Sequence, residues 1–284
     1  MTTNNDNLVI IDQCSLYSVY IEAFLIDKTD NTKEIVISNA TGFVYQYLDK
    51  YYLVSNWHVF SGRHAISRKP LDTKNSSLPD KIRIYFPIDG EIGIVDKIDC
   101  SLKDESNDTY YWLEHPQENK VDVAVLPINW RTEYATYPIN QINESRGIND
   151  FPAGLYIGQE IFILGYPRGI KGGGGFPIWK RATIAVEPYI AMDDDFGLKI
   201  LVDAATREGM SGSPVIVAGT PGCAVLFDGK KQSIHIRPFK LFVGIYSGRI
   251  AGDDELSAQL GIVWKEKTIR EIIETNKCYY GNNM

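Results

Sequence analysis

The sequence predicts an all-β fold, and three observations predict it. Strand-length segments rich in β-branched and aromatic residues recur about a dozen times along the 284 residues. Clusters of Gly, Pro, Asn and Asp separate them. Helical periodicity is nearly confined to the C-terminal end, so the strands do not alternate with helices as βαβ units would.

Taken in order, strand segments fall at residues 17–26, 34–38, 42–47, 51–55, 81–86 and 121–126, then at 160–165, 180–186, 199–203, 213–217, 241–246 and 260–264. Two stretches read as helical. Residues 59–65 have room for a single turn, and residues 265–276 set Ile269, Ile272 and Ile273 at the i, i+3, i+4 spacing of one buried face. The polar stretch 131–151, with Asn140, Asn143, Gly147 and Asn149, shows no sustained periodicity and is the expected connection between two lobes.

Hydrophobic residues make up 44% of the chain and charged residues 23%, an ordinary globular balance that excludes a disordered or fibrous class. No run approaches the roughly 20 apolar residues of a membrane-spanning helix, and the first 25 residues lack the basic start and apolar stretch of a secretory signal. A cytoplasmic location and no membrane partner are therefore expected. Cys14, Cys100, Cys223 and Cys278 stand far apart without a CxxC pair, which argues against structural zinc and a redox motif and makes reduced thiols the expectation. The net charge of -7 opposes counterion-driven binding to nucleic acid.

Acyl transfer needs a hydroxyl, a base to take its proton, and donors where the oxyanion forms. The segment REGMSGSPV, residues 207–215, brackets Ser211 with Gly209 and Gly212, so the chain can turn sharply and expose Oγ together with the N–H groups of Gly209 and Ser211. These two N–H groups are the expected oxyanion hole. Serines beside glycines are common in plain turns, so the reading needs its context. An alternating strand in YYLVSNWHVF runs into His58, and Asp122 interrupts the apolar segment VDVAVLPI, where a buried carboxylate needs a partner such as an imidazole N–H.

The pieces LVSNWHV around His58, DVAVLPI around Asp122 and GMSGSPV around Ser211 resemble the three catalytic blocks of the bacterial trypsin-like serine peptidases, in the His, Asp, Ser order of the chymotrypsin fold. DAATREGMSGSP, residues 203–214, is similar to the HtrA-type and glutamyl-endopeptidase-like branches. The resemblance implies two six-stranded antiparallel β-barrels and a C-terminal helix. Residues 1–140 would carry His58 and Asp122, and residues 141–284 would carry Ser211. It implies a serine endopeptidase acting on protein or peptide substrates through an acyl-enzyme: Ser211 the nucleophile, His58 the base, Asp122 the group that orients it. No cofactor is called for. LFVGIYSGR, residues 241–249, resembles the strand that pairs with substrate, which makes Tyr246, Ser247, Gly248 and Arg249 candidate substrate contacts, with Ala205 and Thr206 in the specificity pocket. A regulatory protein partner is a further expectation, resting on the expected location. The competing reading is a catalytically silent module of the same fold that binds peptides or partners in its cleft; an unrelated β-sandwich is a third.

Two departures from the digestive enzymes matter. Met210 precedes the nucleophile where those enzymes carry an Asp that pairs with a newly cut N-terminus. Ala205 stands where an acid would select Lys or Arg, and Asp203 lies two residues too early. Thr206, Tyr246 and Arg249 could serve an acidic side chain, the alternative being a small neutral pocket. The glycine run 172–175 lacks a following Gly-Lys-Ser/Thr and reads as a flexible loop that could border the cleft. His64, His115 and His235 show no metal-ligand spacing, and Asp193, Asp194 and Asp195 read as a solvated turn.

Overall fold

The computed structural model describes residues 10–27, 30, 33–65, 67–71, 78–104, 106, 109–117, 120–144, 155–192, 197–219, 225–227, 232–234, 239–249 and 260–278. Cys223, His235, Gly147, Asn149 and the Asp193–Asp195 run lie outside them. Two β lobes follow one another. The first contains β1 (Ser18–Ile26), β2 (Glu34–Tyr47), β3 (Lys50–Ser55), β4 (Lys81–Pro87), β5 (Val95–Ser101), β6 (Lys103–Asp104), β7 (Thr109–Tyr110), β8 (Leu113–Glu114) and β9 (Ala124–Ile128), with helix α1 (Trp57–Ser61) after β3. Helix α2 (Gln141–Glu144) leads toward the second lobe: β10 (Glu160–Gly165), β11 (Ile178–Ile184), β12 (Lys199–Asp203), β13 (Pro214–Gly219), β14 (Val225–Phe227), β15 (Gln232–Ile234), β16 (Phe239–Arg249), β17 (Leu260–Lys265), then helix α3 (Glu266–Thr275).

The fold class is all-β, as expected. In the second lobe β10-β11-β12-β17-β16-β13 close a six-stranded barrel. The first lobe departs from the six-stranded expectation: it is a seven-stranded sheet in the order β5-β4-β1-β2-β3-β9-β8, not closed by hydrogen bonds among the described residues. The free edge of β8 is taken by the chain's own C-terminal segment, through a bridge from Leu113 to Cys278 and the bond from Glu114 N–H to Lys277 C=O at 3.0 Å, so it is not available to β5.

Strand β4 shows why these residues make sheet. Ile82, Ile84 and Phe86 alternate inward while Lys81, Arg83 and Tyr85 alternate outward, the period of 2 of a half-buried strand. Its neighbour β5 was not anticipated, because Lys97 and Asp99 on its outward face and Asp96 beside them dilute the apolar alternation, and only Ile98 and Cys100 pack on the core. Arg83 faces Asp99 in register and bonds it at 2.6 Å, and that hydrogen bond holds the Asp99 carboxyl down at about 2. Strand β2 runs unbroken where two strands were expected. Residues 39–41, left between the two expected strands, continue the pairing with β1, and at Gly42, which pairs with Val19, a Cβ would press on Leu53 at 2.9 Å.

Three apolar clusters fill the molecule: one inside each lobe and one between them. The last joins Phe43 and Val54 of the sheet to Leu164, Phe242 and Ile245 of the barrel, and Ile269, Ile272 and Ile273 of α3 complete it. The helix thus returns from the barrel to the first lobe, where Glu271 pairs with the buried His115 at 3.0 Å. The glycine run 172–175 forms a hydrogen-bonded turn, Gly172 N–H to Phe176 C=O at 2.8 Å. Cys14, Cys100 and Cys278 are free thiols, and burial pushes Cys14 up to about 12 and Cys100 to about 11.

Candidate active site

His58 sits inside α1, not before it, and the helix is anchored from behind. Trp57 and Trp112 meet edge to face at 6.3 Å, Phe60 stacks on Trp112 at 5.8 Å, and the Trp57 indole N–H donates to Glu114 at 2.9 Å. Asp122 lies just ahead of β9 in a loop, not within a strand. Asn56, which precedes α1, donates from Nδ2 to the Asp122 carbonyl at 2.8 Å and ties the two segments together.

The Asp122 carboxylate, 11% exposed, is met by three donors. His58 N–H reaches Oδ1 at 2.9 Å, the His58 ring reaches Oδ2 from Nδ1 at 2.7 Å, and Ser247 Oγ donates to Oδ2 at 2.5 Å. A carboxylate only accepts, so the proton of the ring bond sits on Nδ1, and in the neutral imidazole Nε2 keeps a lone pair. Burial pushes the His58 pKa down, but the charge and hydrogen bond of Asp122 outweigh it, and the imidazole stays above its ordinary value.

Ser211 occupies the turn between β12 and β13. Gly209 at φ 86° and Gly212 at φ 83° take left-handed backbone on either side of it. A side chain at Gly212 would also collide with Thr41 C=O and Ser55 Oγ. Among the described residues neither the Gly209 N–H nor the Ser211 N–H donates to a backbone group. Ser211, His58 and Asp122 line one cavity of about 440 Å³ together with Ser247, Gly248 and Arg249. No hydrogen bond joins Ser211 Oγ to His58 in this structure, whereas the His58 and Asp122 side chains are bonded.

The expected substrate contacts divide. Gly248 and Arg249 line the cavity, and so does Ser247, but its hydroxyl is given to Asp122. Thr206 and Tyr246 are 2% and 1% exposed, hydrogen-bond each other's hydroxyls, and do not line the cavity; exposed Ala205 does not line it either. Buried side by side, the two hydroxyls satisfy each other, and it is their burial away from the cavity that keeps them from a ligand there. His64, Ala65, Leu71, Lys120, Lys199, Ile262 and Trp264 line the cavity without having been anticipated. They come from five separate segments, so no local pattern signals them.

Two crystal structures of Rv3671c, one of them from M. tuberculosis H37Rv and carrying a Ser-to-Ala mutation, match the chain, both in an inactive form. Identities are 17% and 16%, coverage is 92% of this chain in each case and 86% and 89% of the other, and the TM-scores are 0.43 and 0.44. No curated protein matches. The model of the trypsin-like peptidase domain matches residues 40–220, a span that runs from within β2 to the end of β13, the strand that follows Ser211. The chain belongs to the trypsin-like peptidase domain family.

Proposed function

We propose that the protein is a serine endopeptidase in which Ser211 attacks the scissile carbonyl, His58 takes the Oγ proton and returns it to the leaving amine, and Asp122 holds the imidazole tautomer. The observation that carries this reading is the doubly bonded His58–Asp122 pair, at 2.7 and 2.9 Å, in the cavity that Ser211 also lines. Attack breaks the C–N bond by way of a tetrahedral oxyanion, for which the uncommitted Gly209 and Ser211 N–H groups are the donors; water then hydrolyses the acyl-enzyme. Strand β16 is hydrogen-bonded to β13 only as far as Ile245. Beyond it, on the side away from β17, Ser247 to Arg249 leave an edge on which an extended peptide can pair.

A silent peptide-binding module is the second reading, favoured by the missing Ser211–His58 hydrogen bond. A fluorophosphonate probe decides between them. The peptidase forms a covalent adduct that mass spectrometry maps to Ser211; a protein that stays unlabelled while binding peptides is the silent module. Such bonds often tighten only when substrate arrives.

The acid limb of kcat/KM is expected above pH 6.5, the ordinary imidazole value. The sign follows from the raised His58 pKa: Nε2 must be unprotonated to act, and a raised pKa holds the proton on until higher pH. A limb below 6.5, measured on one peptide substrate across buffers of constant ionic strength, would contradict the pairing.

Met210 is wholly buried in the barrel core, so no carboxylate there awaits an ammonium partner. An N-terminal tag is therefore expected to leave kcat/KM unchanged. Loss of activity with the tag, restored on its removal, would show an activation switch of the digestive kind.

A further inference from the structure

Residue Thr41 lies on β2 of the first lobe, wholly buried, yet most of its polar atoms serve the second. Its N–H donates to the Ser211 carbonyl at 2.9 Å, and its Oγ1 donates to the Gly209 carbonyl at 2.9 Å. Oγ1 in turn accepts from the Tyr166 N–H at 3.1 Å, and the Thr41 carbonyl accepts from Ser55 Oγ at 2.8 Å. One residue thus grips the nucleophile turn at the peptide on either side of Met210–Ser211. Glycines clear the space for it: a Cβ on Gly165 would lie 2.7 Å from Thr41 Oγ1, and one on Gly212 would collide with the Thr41 carbonyl.

The held peptides matter because of where they stand. In a trans peptide the C=O and the next N–H point opposite ways, and the chain has no cis bond among its described residues. The Gly209 N–H is aimed by the Glu208 carbonyl, which the Arg168 N–H holds at 2.7 Å; the Ser211 N–H is aimed by the Met210 carbonyl, which the Ser213 N–H holds at 3.1 Å. Between these two donor peptides lies the Gly209–Met210 peptide. Its rotation would swing one donor relative to the other, and Gly209 is the residue least able to resist that rotation. Its carbonyl is the one that Thr41 Oγ1 binds.

We infer that Thr41 is a positioning residue: its hydroxyl, presented by the first lobe, sets the relative aim of the two oxyanion-binding N–H groups on the second. The inference rests on the peptidase reading of the site. A hydroxyl donor is what the geometry requires, so Thr41→Val, of the same shape but without it, frees the Gly209 carbonyl, while Thr41→Ser keeps the bond.

The test counts active sites by fluorophosphonate titration and measures kcat and KM on one peptide ester. Removing a whole oxyanion donor costs about 10²–10³ in kcat, so misaiming the pair through Thr41→Val is expected to lower kcat per titrated site by about 10–100-fold. KM should change by less than about threefold, since the interaction is realised in the transition state, and Thr41→Ser should recover to within about threefold of wild type. A loss confined to the fraction of titratable sites, with kcat per site intact, would make Thr41 merely structural and overturn the inference; so would equal losses in Thr41→Val and Thr41→Ser. If Thr41→Val does not fold, as judged by near-ultraviolet circular dichroism, Thr41→Cys carries the test with the same outcomes, its thiol being a weak donor. A wild-type protein that neither titrates nor cleaves overturns the peptidase reading and this inference with it, whereas an active wild type matched by its valine variant overturns this inference alone.

Discussion

Replacing Ser211 with Ala is expected to lower kcat by about 10⁴–10⁶ while leaving the melting temperature where it was. The two halves of that expectation come from one fact. Ser211 lines the cavity and its Oγ is hydrogen-bonded to neither His58 nor Asp122, so its deletion breaks no hydrogen bond to the other two members of the site. A partly exposed side chain of this kind changes stability by within about 0.5 kcal/mol. The chemistry has no such slack, because no other hydroxyl on the cavity wall is both free and flanked by uncommitted N–H donors. The nearest rival, Ser247, already donates to Asp122. Residual cleavage of about 10³–10⁴ over water would remain from peptide binding and from the Gly209 and Ser211 N–H groups. The measurement is kcat on a peptide substrate together with covalent labelling. Unchanged turnover in the alanine protein would move the nucleophile elsewhere.

The segments that meet at the candidate site were legible in the sequence because each is short and local. The glycines around Ser211 declare a turn, the alternation up to His58 declares a strand end, and a carboxylate in VDVAVLPI declares a buried charge in need of a partner. The C-terminal helix was legible for the same reason, its isoleucine spacing being a property of neighbours in the chain; it runs from Glu266 to Thr275, capped by Asn276 in left-handed backbone.

What the sequence withheld is who faces whom across the fold. Ser247 stands 125 residues from Asp122, and nothing in YSGR says whether its hydroxyl meets substrate or carboxylate. Thr206 and Tyr246 carry the right groups for a pocket wall, but burial makes them satisfy each other. Thr41 falls in the gap between two expected strands, where nothing local marks it, and its hydroxyl bonds across to the other lobe. Strand β5 is an edge strand that pairs with β4 along its length and puts Lys97 and Asp99 outward, so its hydrophobic periodicity is weak. Among the described residues the first lobe is not closed by hydrogen bonds, and the segment that meets the edge of β8, Lys277 and Cys278, lies at the far end of the sequence, where no local pattern points to it.

Asparagine in place of Asp122 is expected to lower kcat at neutral pH by about 10⁴, the scale seen when a triad carboxylate is made an amide elsewhere. The argument is one of counting donors. The carboxylate accepts from His58 N–H, from His58 Nδ1–H and from Ser247 Oγ–H. An amide has one oxygen to accept with and two N–H groups that must donate. If the oxygen keeps the His58 backbone N–H, the amide nitrogen faces the ring, and the imidazole accepts there only by moving its own proton to Nε2. That is the atom needed as the base. The same exchange removes both influences that raise the His58 pKa and leaves the burial that depresses it, so the acid limb of the residual activity should move to lower pH than in the wild type. Stability should fall as well, by about 1.5–3 kcal/mol for lost hydrogen bonds to a charged group. Folding and chemistry can be separated, because a folded Asp122→Asn protein, verified by its melting transition, should retain Ser211 and bind peptide with little change in KM. Turnover within about tenfold of wild type would mean that His58 is oriented by something other than this carboxylate, and the tautomer argument would fail.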